Sequence, residues 1–240
     1  LDRSACSVLV AVDGQNILLD IGPGTMRRLT EAGVRIFDID AVCLSHFHPD
    51  HSGELVPFLF ANKYPDGSRR SRPLVLVGGK GIECFFDGLY QVYGTWIDLG
   101  SDLFDIVALD GGGLAENRLG GVRLHWAPTA HNPESVALKI IDPAGRCLVY
   151  SGDTDVCESL IGLAQGADVL ICEAALPDPL KVKGHLTPSE AGAIAARAGV
   201  GRLVLTHLYP QCDQADIVGQ CRRTWAGPLD VAFDLMRLAL

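Results

Sequence analysis

Between positions 46 and 51 the chain reads His46-Phe47-His48-Pro49-Asp50-His51, three imidazoles and one carboxylate in six residues. Neutral imidazole and carboxylate are the ordinary ligands of zinc, and closely spaced side chains on a loop can converge on two neighbouring ions. Composition alone would give this four-residue pattern in roughly one chain in two thousand. The expectation is a metal site.

Three more residues stand in comparable places. His131 follows Ala127-Pro128-Thr129-Ala130, Asp153 lies in Ser151-Gly152-Asp153-Thr154, and His207 follows Leu203-Val204-Leu205-Thr206. Each comes just past an apolar run that reads as a strand, where loops of α/β proteins gather functional groups. Singly, a histidine after a strand is more often a hydrogen-bonded surface residue, and Gly-Asp is more often a turn. Taken together they extend the cluster. His125, inside a predicted strand and beside Trp126, reads as a packed or edge histidine.

The elements that must carry these residues alternate. Apolar runs predict strands at 7–12 and 16–20, joined as a hairpin by Asp13-Gly14, and at 41–44, leading directly into the histidine box on a loop. Further strands are predicted at 74–77, 104–108, 122–127, 136–141, 147–150, 169–172, 203–205 and 231–233. A helix over 25–32 stops at Gly33, and a second begins at Thr187-Pro188-Ser189-Glu190, where Thr187 caps and Glu190 completes a capping box. Asp155 and Glu158 read as the solvated start of another helix. No repeat or linker divides the chain, so one α/β domain over residues 1–240 is expected.

Composition narrows the function. With 48% hydrophobic residues and 27 Gly in 240 residues, disorder, collagen and coiled coil are excluded. No apolar run reaches the roughly 20 residues that cross a bilayer, so no membrane partner is expected and the default location is cytoplasmic. The chain opens on Leu1 rather than Met, which suggests that N-terminal sequence is missing and leaves export open. Eight cysteines without a C-x-x-C pair read as free thiols. A net charge of -9 argues against broad capture of nucleic acid, including duplex DNA, although Arg69-Arg70-Ser71-Arg72 could form a local basic patch.

The H-x-H-x-D-H box, His131, Ser-Gly-Asp153-Thr and Thr-His207 together resemble the motifs of the metallo-β-lactamase fold hydrolases, in order and over most of the chain. The resemblance implies an αββα four-layer sandwich with two divalent metals at one edge, zinc first, with manganese or iron as alternatives. It assigns His46, His48, His131 and bridging Asp153 to the first metal, and Asp50, His51, Asp153 and His207 to the second. Within the superfamily, Lys183-Gly184-His185-Leu186-Thr187-Pro188-Ser189-Glu190-Ala191-Gly192 is similar to the ribonuclease Z-like branch. There His185 matches a proton donor lying over the metals, and Glu173 an acidic residue that orients it. Such a carboxylate raises imidazole basicity and fixes its tautomer. Asp20 resembles the aspartate that supports the metal-loop histidines. A homodimer is also implied.

The sequence departs from a tRNA-processing ribonuclease Z in one respect. Only 21 residues separate His131 from Asp153, too few for the long arm that grips tRNA. The polar segment 62–72 reads as a rim near the site instead. The leading expectation is therefore a binuclear zinc phosphodiesterase acting on a small cyclic or linear phosphodiester or an RNA 3′ end, with Asp50, His185 and Glu173 in catalytic roles. A lactone, thioester or sulfate-ester hydrolase is the alternative, and a non-catalytic metal-binding sensor or partner-binding protein a remote one.

Overall fold

The computed structural model describes residues 3–64, 70–110, 113–115 and 119–240. One sheet is formed by β1 (Val8–Val12), β2 (Gln15–Leu19), β3 (Ala41–Leu44), β4 (Leu74–Gly79) and β5 (Phe104–Leu109), in that spatial order. The β1–β2 pair is an antiparallel hairpin closed by Asp13-Gly14, and β2 to β5 run parallel. The other sheet contains β6 (Gly113–Ala115), β7 (Arg123–Pro128), β8 (Val136–Ile141), β9 (Cys147–Tyr150), β10 (Val169–Glu173), β11 (Arg202–Thr206) and β12 (Leu229–Val231), again in sequence order. Its β6 to β9 are antiparallel and its β9 to β12 parallel.

Period-two alternation separates three apolar layers. On β3, Ala41 and Cys43 pack between the sheets, while Val42 and Leu44 face the helices α1 (Thr25–Glu31), α3 (Leu55–Lys63) and α4 (Ile82–Tyr93). On β9, Leu148 and Tyr150 join the inter-sheet layer, while Cys147 and Val149 face α5 (Glu158–Ala164) and α6 (Pro188–Ala198). The result is the expected αββα sandwich. Each fully buried Leu, Ile or Val in these layers stabilises it by about 1.5–3 kcal/mol. All eight cysteines are unpaired thiols, five of them buried. No helix among the described residues is long and apolar enough to cross a membrane.

Several local expectations change. The histidine box is not all loop, because Pro49 starts a one-turn helix, α2 (Pro49–Ser52), that carries Asp50 and His51. Strand β12 lies two residues earlier than apolarity suggests: it registers Leu229 to Val231 against Leu203 to Leu205, and Phe233 is left 63% exposed. Strand β6 lacks a clear apolar signal and was not expected.

The described ends of segment 62–72 are not a rim at the site. Arg70 is buried, donating to Asn62 Oδ1 at 3.0 Å and to the carbonyl oxygens of Ile39 and Pro73, and Arg72 pairs with Asp40. Asp40 and Pro73 precede β3 and β4, whereas the histidine box follows β3. Arg70 and Arg72 are thus engaged at the opposite strand ends, and neither forms a free basic patch. Residues 65–69 of that segment lie outside the described residues.

Candidate metal centre

Strands β2, β3, β7, β9, β10 and β11 all point their C-terminal ends to one edge, where α/β folds collect ligands. Asp20 leaves β2, the histidine box leaves β3, His131 follows β7, Asp153 follows β9, Glu173 ends β10 and His207 follows β11. His185 stands just before Thr187, whose capping box with Glu190 starts α6. All seven residues proposed as ligands meet here, together with His185 and Glu173. His125 does not. It sits half-buried on β7, in register with Lys139 of β8 and Leu114 of β6.

Asp153 divides the ligands into two groups, one for each of its oxygens. Its Oδ2 lies 3.6 Å from His46 Nε2 and 4.0 Å from His131 Nε2, and the ligand atoms of His46, His48, His131 and Asp153 all fall within 4.8 Å of one another. Its Oδ1 lies 3.2 Å from His51 Nε2 and 3.5 Å from His207 Nε2, with Asp50 Oδ2 at 3.7 and 3.4 Å from the same two nitrogens.

These spacings pass a simple test of fit. Ligands held about 2.0–2.1 Å from a tetrahedral ion stand about 3.3 Å apart. His46 Nε2, His51 Nε2 and Asp153 Oδ1 are buried without a hydrogen-bond partner. Buried polar atoms left so are rare, and here they converge. A cation between them would satisfy several at once.

The outward nitrogens fix the inward ones. His51 Nδ1 meets Asp20 Oδ2 at 2.7 Å, His46 Nδ1 meets Ser45 Oγ at 3.0 Å, and His131 Nδ1 donates to the Gly184 carbonyl at 2.9 Å. In each case Nε2 turns toward Asp153, the arrangement metal-ligating histidines use. Asp20 is the hub. Besides His51 it accepts from Ser45 N (2.6 Å), Ser45 Oγ (2.8 Å) and Tyr150 OH (2.7 Å). It does so from a left-handed backbone, φ 61, which aspartate tolerates better than most residues.

Electrostatics follow the same geometry. Burial, with the nearby His51, pushes His46 down to about 4, so its imidazole is neutral. Burial acts on His51 too, but the carboxylates of Asp20 and Asp153 overcome it and lift its pKa to about 11. A field that holds a proton so strongly also favours a metal cation. The hydrogen bond from His207 keeps Asp50 at about 2, and Asp50, with 46% of its side chain exposed, opens to solvent together with His48.

His185 stacks on His207 with ring centroids 5.6 Å apart, and its Nδ1 lies 3.3 Å from Glu173 Oε1. That hydrogen bond raises its pKa, while burial raises that of Glu173. Glu173 also accepts from Thr154 N at 2.6 Å and Leu186 N at 3.1 Å, tying the Asp153 loop to the His185 loop. Asp155, expected at a solvated helix start, instead accepts from Gly184 N (3.1 Å) and Lys181 Nζ (2.7 Å). Glu158 does begin a helix, α5, exposed and paired with Arg197.

Sequence reading passed over Ser45, Tyr150, Asn132 and Lys181. Asn132 Nδ2 lies 3.0 Å from His48 Nε2, and Lys181 bridges Asp155 and Glu190. Ser45 and Asn132 adjoin predicted ligands, which was the available signal. Tyr150 meets Asp20 across 130 positions and offered none.

A four-layer αββα sandwich with this cluster at its strand ends is a metallo-β-lactamase fold of the ribonuclease Z-like type. The family model of the anti-Pycsar protein Apyc1 matches residues 3–186, and the chain belongs to that family. Among relatives, the protein Rv1339 of Mycobacterium tuberculosis is 34% identical over 235 residues, covering 92% of this chain and 82% of its own. A ribonuclease Z of Mycobacterium marinum is 32% identical over 240 residues, covering 91% of this chain and 84% of its own. In structure, the metallo-β-lactamase fold protein YhfI of Bacillus subtilis aligns with a TM-score of 0.79 at 24% identity, over 96% of this chain and 90% of that one.

Proposed function

We propose that this protein is a two-metal phosphodiesterase that cleaves a small cyclic or linear phosphodiester. The observation that carries the reading is the division of ligands about Asp153, with His185 stacked over His207 and held from behind by Glu173. One ion would be held by His46, His48, His131 and Asp153, the other by Asp50, His51, Asp153 and His207, with zinc the preferred metal for such donors. Ions in these positions supply Lewis-acid polarisation of a phosphoryl oxygen and a water acidic enough to attack at neutral pH.

The chain's own groups do the rest. Asp50 stands at the mouth with its carboxylate ionised, able to orient the attacking water by accepting a hydrogen bond from it. His185, with Nδ1 turned to Glu173, has Nε2 left to give a proton to the departing oxygen, and the Glu173 carboxylate keeps that proton available near neutral pH. The small-substrate preference is supported by what lies between His131 and Asp153. Strands β8 and β9 and the tight turn between them fill that interval, so no arm projects there.

A panel of zinc- and manganese-loaded protein decides the matter, comparing bis(p-nitrophenyl) phosphate, a cyclic nucleotide, a lactone and a 3′-extended tRNA. Turnover of the small phosphodiesters above the other two is expected. Preferential opening of the lactone would sink the phosphodiesterase reading, and preferential trimming of the tRNA would move the substrate to RNA.

A further inference from the structure

The second group of ligands has a neighbour of another chemical kind. Cys6 Sγ, a ring nitrogen of His51 and a ring nitrogen of His207 all lie within 4.8 Å of one another. His51 is fully buried, its Nδ1 is taken by Asp20, and its Nε2 has no partner. A soft sulfur therefore stands beside two of the rings proposed for the second position, where the seven-ligand assignment has no sulfur at all.

The backbone holds Cys6 there by contacts made for close approach. Gly22 N donates to Cys6 O at 3.1 Å, and Ser7 Oγ donates to Asp20 O at 3.1 Å. A side chain at Gly22 would strike Asp50 O at 2.2 Å, Ala5 Cβ at 2.8 Å and Cys6 O at 2.9 Å, so only glycine lets this segment lie against the histidine box. Farther out, Ser4 N and Ser4 Oγ donate to the Asp234 carboxylate at 3.0 and 2.7 Å. Anchored on both sides of Cys6, the segment cannot swing the sulfur away without breaking these bonds.

We infer that Cys6 is a sulfur ligand of the second metal position, joining His51 and His207. The inference rests on the reading that those histidines hold an ion. On binding, the thiol releases its proton to solvent and the sulfur lone pair forms the bond to the metal. An ion bonded to all three atoms would hold them within about 4.4 Å of one another, since zinc–sulfur bonds are about 2.3 Å and zinc–nitrogen bonds about 2.0–2.1 Å. The consequence is selectivity. Thiolate favours zinc and its spectroscopic substitute cobalt over manganese, which prefers oxygen donors.

Cobalt(II) gives a readout independent of activity. Protein loaded with two cobalt ions should show a thiolate-to-cobalt charge-transfer band in the near ultraviolet. Cys6→Ser and Cys6→Ala should lose the band and bind zinc at the second position about 10- to 100-fold more weakly, with manganese affinity changed much less. Cys84→Ser, which alters an exposed thiol, should keep the band. Two bound cobalt ions without a band in the wild-type protein would overturn the sulfur ligand and leave the two-metal reading standing. A band surviving in both Cys6 variants would overturn it equally. Wild-type protein that binds a single ion would overturn both. A wild-type spectrum without the band refutes the ligand whether or not the variants fold, and the conservative Cys6→Ser change attributes any band to this sulfur.

Discussion

Strand β3 has a buried polar cluster at each end. At its start, Asp40 accepts from Asn16 N at 2.8 Å and pairs with Arg72, while Arg70 spreads its guanidinium over Asn62 and neighbouring carbonyl oxygens, leaving only Nε without a partner. At its far end, Ser45 and His51 converge on Asp20, yet His46 Nε2, His51 Nε2 and Asp153 Oδ1 face one another unpaired. Both ends set ionisable groups in a low-dielectric place, which is destabilising unless partners are provided. The first cluster nearly closes on itself and serves the fold. The second is left open toward a common centre, and that openness marks it as the place for a ligand.

The contrast is testable by breaking each end in turn. The largest effect is expected from Asp153→Ala, which removes an oxygen from both ligand groups. Bound metal should fall below two equivalents and phosphodiester turnover by on the order of 10⁴-fold, as when members of one catalytic unit are removed. Full metal content in this variant, by elemental analysis, would contradict the assignment. His185→Ala comes next. It should keep both metals and lose about 10²- to 10⁴-fold in rate on a substrate with a poor leaving group, and much less with p-nitrophenolate. Equal losses on the two substrates would argue against a proton donor.

Arg70→Ala attacks the other end. It should leave metal content and rate untouched but lower stability by about 2–3 kcal/mol in urea unfolding, because it strips partners from a buried amide and several carbonyls. A loss of metal there would erase the distinction between the two ends.

The smallest effect concerns Asp234, which anchors Ser4 beside the metal end. Burial opposes ionisation, but donation from Ser4 and the nearby Arg28 depress its pKa in the folded state. A depressed carboxylate stabilises fully above its unfolded value, near 3.9, and loses that contribution as pH falls through the folded value. Since the pair with Arg28 is partly solvated, the contribution should be about 0.5 kcal/mol. Comparing Asp234→Asn with wild type at pH 6 and pH 3 should show a difference at the higher pH that fades at the lower. A constant difference would exclude ionisation as its source.

The sequence revealed the site better than its surroundings. The six-residue box concentrates four candidate ligands after an unbroken apolar run, and His131, Asp153 and His207 repeat the strand-then-ligand pattern, so the convergence of these side chains was readable from the sequence. Cys6 and Tyr150 were not, because nothing local distinguishes a thiol or phenol that packs from one that reaches Asp20 or His51 across the sheets. The arginine run misled for a related reason. Charge in a sequence is read as exposure, whereas Arg70 turns inward to carbonyl oxygens that only the folded strands bring together. Phe233 misled in the opposite sense, its apolarity extending a strand that the β11 register ends at Val231.

One residue between the two halves of the centre has a consequence for how the working state is assembled. The Gly184 carbonyl receives His131 Nδ1, the Gly184 amide is held by Asp155, and the next residue is His185. The orientation of the His131 ring and the position of the backbone that carries the proposed acid are therefore set by the same residue. The proposed ligand and the proposed acid are thus registered against each other through Gly184, and a side chain there, strained at φ +89 and 3.2 Å from His131 Nδ1, would disturb both at once.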